Sequence, residues 1–317
     1  MNILIVGLGS IGSVHAINAN KYSNISVADN DKAKADTFAK RHECVSYGDD
    51  LEEAFSHKFD GIIIATPNKQ HIEIATKAIK SGADVLIEKP ISHSVKDVQN
   101  FLDYAKKINR KVYVVCNMRF HPAVKILHNN LYKIGKPYFA RAHFGNYLPN
   151  MRVGVDYRQL YVADKDEGGV ALDAIHELDY LSWMFGTAES IVSDSGRISE
   201  LQIDAEDYAS ILTRHESGVR SEVHLDYIRQ VKLRGCEISG SNGVLDWSSE
   251  GKIPELCKVR VYTPDIGWKT LLETKDLDDS PAMEELVKEF LKAIQGEDNI
   301  LQTGDEALKL LMHTLKA

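Results

Sequence analysis

The stretch Asn2-Ile3-Leu4-Ile5-Val6-Gly7-Leu8-Gly9-Ser10-Ile11-Gly12 decides the fold of this chain. An apolar run typical of a buried strand leads into a G-x-G-x-x-G loop, and residues 13–21 have the composition of a helix. A second apolar run, residues 25–28, ends on Asp29. This strand–turn–helix–strand–acid order is typical of a dinucleotide-binding unit. The alternative is a glycine-rich turn in another kind of α/β domain.

Each glycine of the loop has a distinct expected role. Gly7 permits the tight turn, Gly9 lets the backbone approach a pyrophosphate, and Gly12 lets helix and strand pack closely. The amides of Ser10 and Ile11, at the start of the helix, are then available to the anion. The sequence therefore predicts that NAD or NADP binds here.

Asp29 favours NAD as the cofactor. A carboxylate at the end of the second strand accepts hydrogen bonds from both ribose hydroxyls and repels a 2′-phosphate. Asn30 and Asp31 follow it, with no arginine to neutralise a phosphate. Lys32 and Lys34 are close to Asp29 in the sequence and could neutralise a 2′-phosphate, so NADP stays an alternative cofactor.

Composition excludes several classes of protein. The chain has 317 residues, of which 44% are hydrophobic and 26% charged, which is typical of a globular protein of about two domains. The net charge of -8 argues against a nucleic-acid or anionic-membrane partner. The four cysteines form no C-x-x-C pair, so we expect no metal site and a cytoplasmic location. We also expect no signal peptide and no membrane span.

The pattern of apolar residues changes near residue 120. Residues 1–120 alternate apolar runs with helix-like stretches, which predicts an α/β domain with a parallel sheet. Residues 121–317 contain several segments with period-two character, which predict a second domain built on a mainly antiparallel sheet. We expect one helix at about residues 169–185 and two amphipathic helices in the tail, at residues 281–295 and 303–316.

Three polar segments follow predicted strands of the first domain. They are Thr66-Pro67-Asn68, Glu88-Lys89-Pro90 and Asn117-Met118-Arg119. Ligands of open parallel sheets bind beyond the carboxyl ends of the strands, so all three are expected where a nicotinamide would lie. Ordinary connecting loops are the alternative for each segment.

A second cluster begins with Gly168-Gly169 and continues into a helix-forming run. Asp173 and His176 are three positions apart, so they are predicted to be neighbours on one helix face. A carboxylate beside an imidazole fixes its tautomer and suits a general base. There are two alternatives. In one, Asp173 makes a local hydrogen bond and His176 is a buried structural histidine; in the other, the cluster is a zinc site. The zinc motif H-E-x-x-H fails because Tyr180 stands where its second histidine belongs.

Together these motifs resemble the glucose–fructose oxidoreductase / inositol dehydrogenase / MocA-like family. The resemblance extends over nearly the whole chain and rests on the Gly7–Gly12 loop, Thr66-Pro67-Asn68 with His71, Glu88-Lys89-Pro90, Asn117-x-Arg119-Phe120-x-Pro122, the Gly168-Gly169 helix and Gly240-Ser241-Asn242-Gly243-Val244-Leu245 leading to Trp247. It implies an N-terminal Rossmann domain and a C-terminal α/β domain with an open, mainly antiparallel sheet. It also implies NAD(P)-dependent oxidation of a secondary hydroxyl on a sugar-like ring, or the reverse reduction.

In the family, the residues matching Lys89, Asp173 and His176 form the catalytic group. We expect His176 to be the base, Lys89 to polarise the reacting oxygen and Asp173 to orient His176. Many members space the aspartate and histidine by four positions; the spacing of three here weakens the assignment of Asp173. The expected cofactor-binding residues are Gly7, Gly9, Ser10, Ile11, Gly12, Asp29, Asn30, Thr66, Pro67, Asn68, His71, Glu88, Lys89, Asn117 and Arg119.

The loop before the glycine pair supplies the few indications of a substrate. It carries Arg152, Tyr157, Arg158 and Tyr161, which with Arg119 would form a cationic, aromatic-edged wall. Arginine suits carboxylates and phosphates, which favours an acidic sugar or a nucleotide sugar. A solvated loop is the alternative.

Two other functions stay open beside that of a sugar-type dehydrogenase. One is a non-catalytic, dinucleotide-sensing regulator, and the other is an NAD-dependent glycosidase. Because the open sheet of this family usually buries its exposed face against another subunit, we also expect a homodimer or homotetramer formed through that sheet.

Overall fold

The structure is a computed structural model that describes residues 1–152, 154–166, 168–251, 255–277 and 280–315. The chain forms two compact units. The first comprises Met1–Phe120 and Ser280–Leu311, and the second His121–Asp279 and Met312–Ala317. The structure therefore differs from the predicted second domain, 121–317, because Ser280–Leu311 belongs to the first unit.

The elements are named in chain order. Within the described residues, the strands are β1 (Asn2–Val6), β2 (Asn24–Ala28), β3 (Val45–Ser46), β4 (Gly61–Ile64), β5 (Asp84–Ile87), β6 (Val112–Val114), β7 (Pro137–Gly145), β8 (Ala188–Gly196), β9 (Tyr208–His215), β10 (Arg220–Asp226), β11 (Leu233–Gly240), β12 (Gly243–Glu250), β13 (Leu256–Thr263), β14 (Gly267–Thr274) and β15 (Gln302–Thr303). The α-helices of the same residues are α1 (Ser10–Asn20), α2 (Lys32–His42), α3 (Leu51–Ser56), α4 (His71–Lys80), α5 (Val95–Lys107), α6 (Pro122–Asn130), α7 (Val170–Asp173), α8 (His176–Phe185), α9 (Ser280–Gln295) and α10 (Gly304–Thr314). The last predicted position of the tail helix, 316, lies outside the described residues.

The sheet of the first unit is parallel except at one edge. Its strand order is β15-β6-β5-β4-β1-β2-β3, and only the short β15 runs antiparallel to its neighbour β6. The central strands read as continuous apolar runs because helices cover both faces of such a sheet, and β4 is buried throughout. The strand order reverses between β1 and β4, which is where ligands bind in open α/β sheets.

Helix α9 joins the first unit because of its apolar stripe. Leu286 and Phe290 are fully buried and belong to the same hydrophobic core as Ile3 and Ile5 of β1. The amphipathic pattern of this helix is visible in the sequence, but the pattern does not specify which core the helix covers. Burial against β1 explains why the tail departs from the predicted domain.

The second unit is built on an open sheet of eight strands in the order β14-β13-β12-β11-β7-β10-β9-β8. All neighbours are antiparallel except β7 and β10, which are parallel. Strand β9 alternates exposed and buried positions, with Ala209 and Ile211 fully buried, as expected for a sheet with one covered face. The predicted open, mainly antiparallel sheet is confirmed.

The single helix predicted over about residues 169–185 is wrong. The structure has the short α7, a turn at Ala174 and Ile175, and then α8. Ala174 leaves the helical region, with φ of −92° and ψ of 32°. Asp173 and His176 therefore lie on two different helices, so the helical-face argument that paired them does not hold.

No helix of the described ranges is long and apolar enough to span a membrane.

Candidate functional site

The glycine loop between β1 and α1 leaves no room for side chains at two of its positions. Gly7 has a φ of +92°, and a Cβ there would lie 2.7 Å from the carbonyl oxygen of Ala65. A Cβ on Gly12 would overlap the carbonyl oxygen of Gly7. A Cβ on Gly9, by contrast, has no atom within 4 Å. The loop is thus packed tightly on the protein side and open at Gly9, where the sequence predicted the approach of a pyrophosphate.

Helix α1 begins without a side-chain cap. Gly9 is its N-cap residue, and the first turn carries no acidic side chain. The side chains of Ser10 and Ile11 are exposed. Uncapped amides and the positive end of the helix dipole suit a bound phosphate group. This helix start fits the diphosphate of a dinucleotide.

Asp29 lies at the end of β2, and its carboxylate is buried. Its Oδ2 atom accepts hydrogen bonds from the amide of Leu8 at 2.6 Å and from Nζ of Lys34 at 3.2 Å, while Oδ1 accepts from the amide of Asp31 at 2.9 Å. Burial alone would raise the pKa of Asp29, but these donors together lower it. The group is therefore an anion at neutral pH, joined directly to the glycine loop. Asn30, next to it, is exposed.

His71 holds two of the three strand-end segments together. Its Nε2 atom lies 2.8 Å from the carbonyl oxygen of Thr66, and its Nδ1 atom lies 3.0 Å from that of Pro90. Burial lowers the pKa of this imidazole, against the opposing effect of the two carbonyl groups. The contacts described for His71 are with backbone, and they fix the positions of the chain after β4 and after β5. A direct role in cofactor binding for Thr66, Pro67, Asn68 and His71 stays a prediction.

Glu88 and Lys89 follow β5. The amide of Glu88 donates to Ile64 of β4, and Oε2 of Glu88 accepts from the amide of Lys89 at 3.1 Å. Oε1 of Glu88 lies 2.8 Å from Nε2 of His15, a fully buried side chain of α1. The Lys89 side chain is half-buried.

Sequence reasoning missed His15. Its position in the sequence could have indicated it, because His15 stands three positions after Gly12 and both lie on the buried face of α1.

Arg119 is buried within the first unit. Its guanidinium donates to the carbonyl oxygen of Ile300 at 3.1 Å and lies 3.8 Å from Oε1 of Glu306. These contacts tie the segment after β6 to the C-terminal part of the unit. The roles predicted for Asn117 and Arg119 towards cofactor or substrate stay predictions.

In the second unit, the structure brings two predicted site residues together. The hydroxyl of Tyr161 donates to Oδ1 of Asp173 at 2.8 Å, and the hydroxyl of Tyr227 lies 3.1 Å from Oδ2. Tyr227 is fully buried, whereas Tyr161 is partly exposed. No sequence pattern connects Tyr227 with Asp173, since 54 positions separate them.

The glycine pair before α7 is needed for close packing, as predicted. A Cβ on Gly168 would overlap the carbonyl oxygen of Tyr161, and one on Gly169 would overlap the carboxylate of Glu206. Gly169 also has a φ of +93°. Glu206 lies at the start of α7, where its Oε1 accepts from the amide of Ala171 at 3.3 Å, and burial raises its pKa.

His176 is the first residue of α8 and is buried. The adjacent Glu177 is fully buried and forms an ion pair with Arg234, with Nε 2.7 Å from Oε1. The Arg234 guanidinium also stacks over the ring of Phe144, 4.7 Å from its centroid. This buried pair anchors the first turn of α8 to the sheet, and so fixes the backbone that carries His176.

The loop residues predicted to face a substrate are mostly exposed. Arg152 is exposed, and Arg158 is engaged with Asp156, with Nε 2.8 Å and 3.0 Å from the two carboxylate oxygens. The hydroxyl of Tyr157 accepts from the amide of Gln202 at 3.3 Å. Asp156 therefore offsets the charge of Arg158, and the predicted cationic wall is weaker than the sequence indicated.

The described residues hold no group of three or more His, Cys, Asp or Glu side chains that could bind a metal ion.

A tight glycine loop, an uncapped helix start and a buried acid after β2 define a dinucleotide-binding Rossmann protein, here joined to a second α/β unit. Residues 1–116 match the family model described as oxidoreductase family, NAD-binding Rossmann fold, and residues 132–246 match the GFO/IDH/MocA C-terminal domain. The chain belongs to the GFO/IDH/MocA oxidoreductase family, and its first unit carries an NAD-binding Rossmann domain.

Known relatives agree with this assignment. The chain is 28% identical over 203 residues to an uncharacterised oxidoreductase of Synechocystis and 26% identical over 214 residues to D-apiose dehydrogenase of Paraburkholderia graminis. These matches cover 61% and 65% of this chain, and 54% and 56% of the relatives, so the chain spans about half the length of both. The UDP-N-acetylglucosamine 3-dehydrogenase of Acidithiobacillus ferrooxidans shares the fold, with a TM-score of 0.80 at 19% identity over 100% of this chain and 96% of that one.

Proposed function

We propose that this protein is an NAD-dependent dehydrogenase that transfers a hydride between the cofactor and a secondary hydroxyl or ketone of a sugar-like substrate. The observation that carries the proposal is the Glu88-Lys89-Pro90 segment. It directly follows β5 in the NAD-binding Rossmann domain of an oxidoreductase family, at the end of the sheet where ligands bind. A half-buried lysine with its backbone fixed by the preceding carboxylate is suited to act on a bound substrate.

The chain's own residues account for cofactor binding. The amides at the start of α1 would hold the diphosphate, and the Asp29 carboxylate would accept hydrogen bonds from the ribose hydroxyls. The fixed negative charge of Asp29 favours NAD over a cofactor with a 2′-phosphate, although Lys34 beside it offsets part of that charge. A bound nicotinamide supplies the hydride acceptor or donor for the reaction.

Lys89 would act on the reacting oxygen. As an ammonium group it would donate a hydrogen bond to the hydroxyl or carbonyl and stabilise the negative charge that develops there. Such electrostatic stabilisation supplies a large share of the rate in many enzymes, so the loss of the ammonium should lower kcat strongly.

His176 would accept the hydroxyl proton during oxidation and return it during reduction. Its place at the start of α8, held by the buried Glu177–Arg234 pair, supports a fixed position for the imidazole. Asp173 is the residue that the family resemblance pairs with it. The contacts of Asp173 with Tyr161 and Tyr227 support a carboxylate held in one orientation by hydroxyl groups.

A carbohydrate is the proposed substrate class. Two proteins that share the family or the fold are named for D-apiose and for UDP-N-acetylglucosamine. The exposed Arg152 and the Asp156-paired Arg158 are compatible with an acidic sugar or a nucleotide sugar.

Absorbance at 340 nm distinguishes the three functions. The purified protein is incubated with NAD and a panel of neutral, acidic and nucleotide sugars, and NADH formation and sugar cleavage are both measured. A dehydrogenase produces NADH from at least one sugar. NADH binding without turnover on any of them would identify a sensor, and cleavage without net NADH would identify a glycosidase.

We further propose a cytoplasmic homo-oligomer formed through the open face of the second sheet. Val192 of β8 pairs with Leu212 of β9, and both are more than half exposed on that face, while Trp268 is 50% exposed. A second copy would cover these side chains. The described cysteines form no disulfide and are largely buried, which is compatible with a reducing compartment. Light scattering coupled to size exclusion would report the oligomeric state.

A further inference from the structure

A buried polar contact connects the glycine-loop helix to the segment that carries Lys89. Nε2 of His15 lies 2.8 Å from Oε1 of Glu88. The imidazole is fully buried, and the Glu88 side chain is only 10% exposed. His15 is on α1 and Glu88 follows β5, so the contact joins elements 73 positions apart in the chain.

The tautomer of His15 follows from its surroundings. Its Nδ1 atom is buried, and among the residues that the structure describes none forms a hydrogen bond with it. The other ring nitrogen, Nε2, faces an oxygen of the Glu88 carboxylate, and an ionised carboxylate only accepts hydrogen bonds. The proton is therefore assigned to Nε2, which donates to Glu88.

The Glu88 carboxylate also contacts the backbone of the next residue, Lys89. Its Oε2 atom accepts from the amide of Lys89, so one carboxylate is held by an imidazole on one side and holds the lysine backbone on the other. The amide of Glu88 is itself bonded to Ile64, which fixes the main chain at the same point. With the imidazole removed, nothing else described in these contacts would orient the Oε1 side of the carboxylate.

We propose that His15 is a positioning residue for Lys89, acting through the Glu88 carboxylate. The catalytic consequence rests on the function proposed above for Lys89; the geometric coupling does not. Because His15 stands five positions after Ser10 on α1, it would also link the helix that holds the cofactor diphosphate to the lysine that acts on the substrate.

Two substitutions separate the hydrogen bond from the volume of the side chain. His15→Gln retains a donor that can reach Glu88, whereas His15→Leu fills the space without a donor. His42→Leu is the matched control, since His42 stands at the end of α2 and its ring contacts that of Phe38. If His15→Leu does not fold, His15→Asn replaces it, because its shorter amide does not reach Glu88.

The test combines kinetics with a direct probe of Lys89. The lysines of the full-length protein are reductively methylated with ¹³C-formaldehyde, and the Lys89 resonance is assigned by its absence in Lys89→Arg. We expect His15→Leu to move that resonance and to lower kcat about tenfold or more, with the Kd for NADH changed less than about threefold. His15→Gln should restore both the resonance and kcat to within about threefold of the parent protein.

Two results would overturn the proposal. One is a Lys89 resonance that is the same in His15→Leu as in the parent and in His42→Leu. The other is His15→Gln as impaired as His15→Leu, which would show that the donor is irrelevant. The resonance is read without any substrate, so a protein that oxidises no sugar would refute the proposed function and leave the coupling of His15 to Lys89 to be decided by the spectrum.

Discussion

The hydroxyl of Tyr227 lies 3.1 Å from Oδ2 of Asp173, in a position where the tyrosine is fully buried. The opposite oxygen of the same carboxylate is bonded by Tyr161 at 2.8 Å. Two tyrosine hydroxyls thus hold the Asp173 carboxylate. Tyr227 lies in the interior of the second unit, and Tyr161 lies on its exposed loop. This arrangement fixes Asp173 without the regular helix that the sequence predicted.

Tyr227→Phe should destabilise the protein more than Tyr161→Phe. A buried hydrogen bond to a carboxylate contributes about 1.5–3 kcal/mol, whereas an exposed one contributes less than about 1 kcal/mol. Urea unfolding of both variants measures the difference. Equal losses of unfolding free energy would contradict the assigned burial and the bond to Asp173.

Gly12→Ala should cost about 3 kcal/mol or more, because its methyl group would overlap the carbonyl oxygen of Gly7. Gly9→Ala has open space and an ordinary φ of −58°, so its unfolding free energy should stay within about 1 kcal/mol of the parent. We expect Gly9→Ala instead to weaken NADH binding about tenfold, by obstructing the diphosphate. Thermal unfolding and NADH fluorescence titration report the two effects separately; a Gly9→Ala variant with parental NADH affinity would refute the predicted approach of the cofactor.

Asp29→Asn should raise affinity for NADPH relative to NADH about tenfold, because the amide retains hydrogen-bonding capacity but not the charge that repels a 2′-phosphate. Lys34 would then face the phosphate directly. Asp31→Asn is the control, since asparagine caps α2 as well as aspartate does. An unchanged ratio of the two dissociation constants in Asp29→Asn would remove Asp29 from cofactor selection.

His121 should make the second unit sensitive to acid. Burial, assisted by the nearby positive charge of Arg234, lowers the pKa of His121 from 6.5 to about 4. Between these values the unfolded chain binds more protons than the folded one, so stability is complete above pH 6.5 and falls as the pH drops towards 4. The loss from this group between pH 7.5 and 4.5 should be about 2–3 kcal/mol.

His121→Asn tests the direction and the size of this pH-dependent loss of stability. The His121 ring caps α6 by accepting from the amide of Ala123 at 3.2 Å, and asparagine can cap a helix without titrating. Urea unfolding at several pH values should show a shallower decline for the variant than for the parent. Parallel pH profiles would rule out His121 as a source of acid sensitivity.

Local patterns predicted much of the fold. Continuous apolar runs identified β1, β4 and β5 because a parallel sheet buries both faces of a strand. Strands β8 and β14 carry no such signal, since they are the edge strands of their sheet and lack a clean alternation of apolar residues. The tail was assigned to the wrong unit because amphipathicity reveals an apolar face but not its partner.

The candidate site was predictable where its chemistry depends on neighbours in sequence. The glycine loop and the Gly168-Gly169 pair are such cases, since backbone conformation and close packing restrict those positions to glycine. Long-range contacts were not predictable. The partners His15 and Tyr227 reach Glu88 and Asp173 only through the folded topology, and no local pattern indicates which acid each of them contacts.

The most direct test of the proposed function is the turnover of Lys89→Met on the best substrate of the sugar panel. We expect NADH formation to fall by about a thousandfold or more, while the Kd for NADH stays within about threefold of the parent. Unchanged turnover in a correctly folded Lys89→Met protein would contradict the role of Lys89 and the mechanism built on it.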